Sequence, residues 1–249
     1  MAETIVSIHQ PNFMPWVKLL DKILASDVYV AYDTVIYTKS EYHARQKVLI
    51  ENGDTAWLSV PLVHLRGEQQ LIKDIKIENR QPFRDRHLRR LRLSYSSWPY
   101  FDEVYPVIED VYGRDHAQLA DLNLDLIEAI CTYLDSPVRI VRASSLPHAG
   151  DKSERLVQLV AALGGDVHLT STYGTTQHDV DWPMFEAAGI GLSSQSFEHP
   201  EYNQVGHADF VPNLAAVDML FACGRKTRQI LESRRRLIPI IPGKTETEG

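Results

Sequence analysis

Two cysteines in 249 residues, Cys131 and Cys223, are too few for a disulfide framework, and neither sits at a zinc-ligand spacing. Both fall in apolar helical patterns, which reads as buried thiols. No apolar run reaches the roughly 18 residues needed to cross a bilayer. The amino terminus also lacks a basic segment followed by an apolar one, so the expected compartment is the cytoplasm. Positive charge is scarce: 26 Lys and Arg against 33 Asp and Glu leave a formal charge of −7, which argues against a nucleic-acid binder. A Walker glycine loop, a dinucleotide glycine fingerprint, a nucleophile elbow and internal repeats are all missing. What remains is ordinary globular composition, 44% hydrophobic and 24% charged.

The stretch Ile5 to Tyr37, IVSIHQPNFMPWVKLLDKILASDVYVAYDTVIY, reads as strand, loop, helix, strand. Ile5 to Ile8 is a short apolar run, as in a buried parallel strand. His9, Gln10 and Asn12 follow at its carboxyl end. Pro11 and Pro15 fix torsions and remove donors, so HQPNFMPW forms a rigid corner before a helix from about Trp16 to Ser26. A second strand, Val28 to Tyr32, runs into Asp33. Loops beyond the carboxyl ends of parallel strands form the ligand crevice of open α/β sheets, which makes His9, Gln10, Asn12 and Asp33 site candidates. The alternative is a packing corner around a buried Trp and Phe.

Further along, Lys47 to Ile50 and Ala56 to Val60 read as a hairpin closed by Asn52-Gly53-Asp54. Leu71 to Ile77 alternates apolar and charged residues and predicts a half-exposed strand. Helical patterns cover Pro82 to Tyr95, Phe101 to Tyr112 with Pro106 expected to cut or kink it, and about Asp115 to Leu134. Val138 to Arg142, Val167 to Ser171 and Ile190 to Ser194 predict strands. They alternate with a helix from about Ser153 to Leu163, a short one capped by Asp181, and one begun by Pro212 or Asn213. The expected fold is α/β: a parallel, Rossmann-like sheet of nucleotidyltransferase or HUP type, with helices on both faces and a helical insertion at about 82–135. A single domain is expected over 1–240, followed by a disordered tail at 241–249.

Two basic clusters stand out against the acidic total. Arg80 to Arg92 holds six arginines and His87, and Arg225 to Arg236 holds six more cations. They read as solvated helix faces or as phosphate contacts. The loop His168 to Asp179, with Ser171 and Gly174, offers amides and hydroxyls suited to an anion, although such residues also fill ordinary turns. His199 to Phe210 brings His199, Tyr202, Gln204 and His207 to the sheet end occupied by the opening loop.

The opening block resembles the strand, proline loop and helix of the nucleotidyl-transferase and class I synthetase superfamily. Pro11 matches its loop proline, but Phe13 and Trp16 stand at its two histidine positions, so the resemblance supports the fold more than the reaction. More specifically, the chain is similar to WbqC-like family proteins. The landmarks are IHQPNFMPW, SDVYVAYDTVIY, YHARQKV, WLSVPL, HLRRLRLSY with PYF, ERLVQLVAALGGDVHLTSTYG, FEAAGI, HPEYNQ and DFVPNLAAVDMLFACG, in order over about residues 4 to 224. Departures are Thr34, where an acidic residue usually follows Asp33, and Ala44 and Gln46 beside Arg45. The first weighs against a metal at Asp33. The family's recurring polar positions fall on His9, Gln10, Asn12, Trp16, Asp33, Arg45, His87, Tyr202, Gln204 and Asp218.

The resemblance implies a place in surface-polysaccharide (O-antigen) or natural-product biosynthesis, with aminoacyl or acyl transfer to an amino group. The first expectation is therefore a transferase acting on a small polar substrate that carries phosphate or carboxylate. His9 and Asp33 would be catalytic, and Gln10, Asn12, Trp16, Arg45, His87, Ser171, Tyr202 and Gln204 would bind substrate. A tRNA-linked donor stays open. The second is a non-catalytic binding protein for a nucleotide-linked sugar, and the third is ATP-dependent nucleotidyl transfer. No motif names a cofactor or a metal.

Overall fold

The computed structural model describes residues 3–50, 53–63, 69–170, 181–206 and 209–240. β1 (Ile5–His9) places Val6 and Ile8 on one face of the sheet and Ser7 and His9 on the other. After the proline corner, α1 (Val17–Leu24) returns the chain to β2 (Val28–Ala31), which lies parallel to β1 with Ser7 opposite Tyr29 and His9 opposite Ala31. α1 is buried nearly all round, Asp21 and Lys22 included, because it lies between the sheet and later helices.

Between β2 and its next parallel neighbour the chain makes a long excursion. It begins with the antiparallel hairpin β3 (Arg45–Leu49) and β4 (Thr55–Ser59), then three helices: α2 (Phe83–Tyr95), α3 (Phe101–Tyr112) and α4 (Leu119–Tyr133). The expected helical insertion is thus present, with the hairpin as part of the same excursion. Pro106 lies inside α3 on its exposed side, and the helix continues through it to Tyr112. The arginines Arg86, Arg89 and Arg92 occupy the exposed side of α2, as expected of a solvated face.

The excursion ends at β5 (Arg139–Arg142), followed by α5 (Lys152–Ala162), whose capping box pairs Asp151 with Glu154. β6 (Val167–Thr170), α6 (Trp182–Ala187) and β7 (Gly191–Phe197) come next. α7 (Ala216–Cys223), α8 (Lys226–Arg234) and β8 (Arg235–Pro239) complete the order. Gly224 separates α7 from α8 at φ +57°, and a Cβ there would lie 2.4 Å from a Tyr100 ring carbon. Only glycine fits both demands.

The six-stranded sheet runs β5-β2-β1-β6-β7-β8, parallel except for β8. The five parallel strands follow the doubly wound order, with the switch of direction between β1 and β6. One face buries Val6, Ile8, Val28 and Val30 under Leu156, Leu159 and Val160 of α5 and Phe185 of α6. The other packs Tyr29 and Ala31 against α1 and the helices of the excursion. The α/β expectation with helices on both faces therefore holds.

The structure departs from the sequence reading at two places. Leu71 to Ile77 is no strand: it contains a 3-10 turn at Ile72–Asp74, and single bridges tie Leu71 to Ile36, Lys76 to Gln118 and Ile77 to Leu62. Its strand-like pattern arises because Ile72, Ile75 and Ile77 are buried while the backbone bonds to Ala117 and Leu119 at the start of α4. The second is β8, which was not foreseen because its two arginines and closing proline weaken the strand signal. As an antiparallel edge strand it tolerates them. The expected tail at 241–249 lies outside the described residues.

Candidate functional site

The carboxyl end of β1 is held by a dense set of hydrogen bonds. Tyr29 Oη donates to the His9 carbonyl at 3.1 Å, and Asn123 Nδ2 donates to the carbonyls of Pro11 and His43, each at 2.8 Å. Phe13 N donates to Tyr42 O at 3.1 Å, which ties the corner to the segment before β3. Met14 adopts φ +43°, a conformation that disfavours non-glycine residues, and its fully buried side chain holds it there. The proline corner is therefore a fixed scaffold, with Asn12 buried inside it and its Oδ1 unpaired among the described residues.

On this scaffold His9 and Gln10 are half-buried. His9 Nδ1 lies 2.9 Å from the Gln10 carbonyl. A carbonyl only accepts, so Nδ1 carries the hydrogen and the neutral ring keeps its lone pair on Nε2. Burial pushes the imidazole down to about 4, helped by the positive charge of Lys22. Gln10 Oε1 accepts from His43 Nε2 at 2.8 Å, and burial likewise lowers His43 to about 4. Two neutral imidazoles thus flank Gln10 at neutral pH. Trp16 sets its ring edge-on to His9, with centroids 5.7 Å apart.

The other predicted residues lie elsewhere. Asp33 is fully buried and both its oxygens are engaged by Ser144: Oδ1 accepts from the amide at 2.9 Å and Oδ2 from the hydroxyl at 2.7 Å. It pins the turn after β5. His87 lies inside the helical core, its Nδ1 3.1 Å from Tyr112 Oη and its ring between Phe13 and Phe83. Tyr202 and Gln204 turn inward onto Asp218 of α7, at 2.8 and 3.1 Å from Oδ1, while Tyr95 donates to Oδ2 at 2.8 Å. Arg45 opens β3 and faces outward over Trp57, its guanidinium carbon 4.6 Å from the ring centroid. The structure brings together His9, Gln10, Asn12 and Trp16, while Asp33, His87, Tyr202 and Gln204 are each engaged by partners of their own. Ser171 and His207 lie outside the described residues.

Sequence reasoning passed over Lys22 and His43. Lys22 is 3% exposed, yet its Nζ reaches the Ile8 carbonyl at 3.2 Å, one residue before His9. Burial depresses it to about 7, and its charge acts on both His9 and His168. The available signal was a charged pair, Asp21-Lys22, in a helix apolar on every side. Asp21 is explained by Arg235 and Gln195, at 2.8 and 2.5 Å. Lys22 instead points to the strand end where β1 and β6 diverge. Among the described residues no group of His, Cys, Asp or Glu is placed to hold a metal.

A family model described as the WbqC-like protein family matches residues 10–230, which span the corner, the hairpin, the helical excursion and α7. The chain belongs to the WbqC-like protein family. It is also similar to an uncharacterized protein of Mycobacterium tuberculosis, 27% identical over 234 residues that cover 93% of this chain and 99% of that one. No solved structure matches. No described helix is long and apolar enough to cross a membrane.

Proposed function

We propose that this WbqC-like protein is a biosynthetic transferase that moves an aminoacyl or acyl unit to an amino group in the assembly of a surface polysaccharide or natural product. The observation that carries this reading is His9: a neutral imidazole at a parallel strand end, with its hydrogen held on Nδ1 by Gln10. Its Nε2 has no hydrogen-bond partner among the described residues. Acyl transfer to an amine needs a base that takes the proton the nitrogen sheds as the new bond forms, and an acid that returns it to the leaving group. His9 Nε2 does both in turn. Burial keeps the ring deprotonated at rest, with the charge of Lys22 adding to the effect, and Gln10, braced by His43, offers its amide to a polar substrate.

The family resemblance supports both the pathway and the reaction class, and His9 supplies a base of the kind such a transfer needs. Asp33 enters this reading as the brace of the β5 turn rather than as a second catalytic group, because Ser144 occupies both its oxygens. The test incubates the purified protein with aminoacyl and acyl donors and amine acceptors, and reads amide product by mass spectrometry. Product with the wild type and its loss with His9→Asn support the reading. Equal product from both removes His9 from the chemistry.

A further inference from the structure

The hairpin presents an outer face that its fold does not require. Arg45 and Ser59 form one cross-strand pair on that face, and Lys47 and Trp57 the next. Trp57 is 43% exposed and Tyr42 38%, large rings left partly open to solvent beside a site. The rings form a path from the catalytic end of β1: Trp16 to Tyr42 at 5.3 Å between centroids, and Tyr42 to Trp57 at 6.1 Å with planes 31° apart. Two cations lie over the last ring, Arg45 4.6 Å and Lys47 5.2 Å from the Trp57 centroid. A cavity of about 510 Å³ opens beside Arg45, lined also by Tyr37, Lys39, Glu41 and Ser59.

Partly exposed aromatic rings with cations set against them are the chemistry that holds a nucleobase and its phosphates: the base stacks on a ring, and Arg and Lys turn to meet the phosphate oxygens. We propose that this hairpin face and its cavity bind the nucleotide portion of the substrate, the base against Trp57 and Tyr42 and the phosphates against Arg45 and Lys47. The net charge of −7 on the chain disfavours a long polyanion. The nucleotide's role as the handle of a donor rests on the transferase reading above, and Trp16 links the two sites.

The experiment titrates the full chain by calorimetry with uridine and adenosine 5′-diphosphates, the two nucleosides, inorganic pyrophosphate and a three-nucleotide RNA strand. At least one base-plus-phosphate probe binds, more weakly as salt rises, and the nucleosides and pyrophosphate bind at least about tenfold more weakly. Trp57→Leu and Arg45→Gln each weaken that probe roughly tenfold or more, and Glu186→Gln, an exposed position on α6, leaves it unchanged. A preference for the RNA strand names a strand end as the source, and a preference for a diphosphate names a free nucleotide. Binding of pyrophosphate as tight as that of any nucleotide overturns the proposal, as does indifference to Trp57→Leu. So does a dimer that Trp57→Leu dissociates while no nucleotide binds, since the face would then join two copies of the chain. If nucleotide binds as stated but His9→Asn transfers acyl groups normally, the transferase reading fails alone. If transfer needs His9 but no nucleotide binds, this proposal fails alone.

Discussion

Ser144 closes both oxygens of the Asp33 carboxylate, one through its amide and one through its hydroxyl, at 2.9 and 2.7 Å. The two residues are 111 apart in sequence and sit at the ends of the adjacent strands β2 and β5. The pair locks the return of the long excursion. Ser144→Ala leaves a buried carboxylate with one donor fewer, and the expected cost is about 1.5–3 kcal/mol in urea unfolding. Asp33→Ala should cost at least as much while leaving nucleotide binding at the hairpin intact.

Asp218 plays the corresponding part under the Tyr202 loop. Tyr95, Tyr202 and Gln204 all donate to it, and the Leu49 amide donates to the Tyr95 hydroxyl at 2.9 Å. Burial and the neighbouring carboxylate both raise the two tyrosines, so they stay protonated donors. A double-mutant cycle on Tyr95→Phe and Tyr202→Phe should show coupling of at least about 0.5 kcal/mol, because both share one acceptor. Additive losses would mean that the two hydroxyls act independently.

Much of this was legible in the sequence. Strand, proline corner, helix and strand are contiguous from Ile5 to Ala31, so their pattern is local and the position of His9, Gln10, Asn12 and Trp16 at the carboxyl end of β1 could be read. Tertiary pairing is not local. Asp33 looked like a site residue because nothing near it in sequence pairs with it, and its partner lies 111 residues on. His87 was separable in principle: Phe83, His87, Leu91 and Tyr95 recur every four residues as the buried side of α2, which marks it as a core position. The Leu71 to Ile77 segment misled because inward isoleucines in an irregular chain alternate much as a strand does.

Acid should unfold the protein through its buried histidines. Burial lowers His9, His43 and His87 to about 4 and His168 to about 3, each from 6.5. The unfolded chain therefore binds more protons, and stability falls as pH drops from about 6.5 towards 4. The slope is about 1.4 kcal/mol per pH unit for each such histidine. Melting temperatures measured across that window should decline steeply, and His87→Phe, set among Phe13, Phe83 and Tyr112, should flatten the decline.

Lys22 should act in the opposite range. Its folded value of about 7 lies below its ordinary 10.5, so the unfolded chain again binds the extra proton, now between these two values. Its burden on stability is absent above pH 10.5, grows as pH falls and is complete below about 7. Lys22→Met should therefore raise stability at pH 6 and change it little near pH 10.5. A uniform gain at all pH values would show that the ammonium is not desolvated in the native state. The same substitution should also relieve His9 of the Lys22 charge, raising the histidine's midpoint in an NMR titration.

The central claim is that His9, at the end of β1, is the base of a transfer reaction. Its most direct test supplies His9→Asn to cells lacking their own copy of the protein, at matched protein abundance, and quantifies the acylated pathway product. The account predicts a fall of at least about 100-fold. Product at the wild-type level would contradict it.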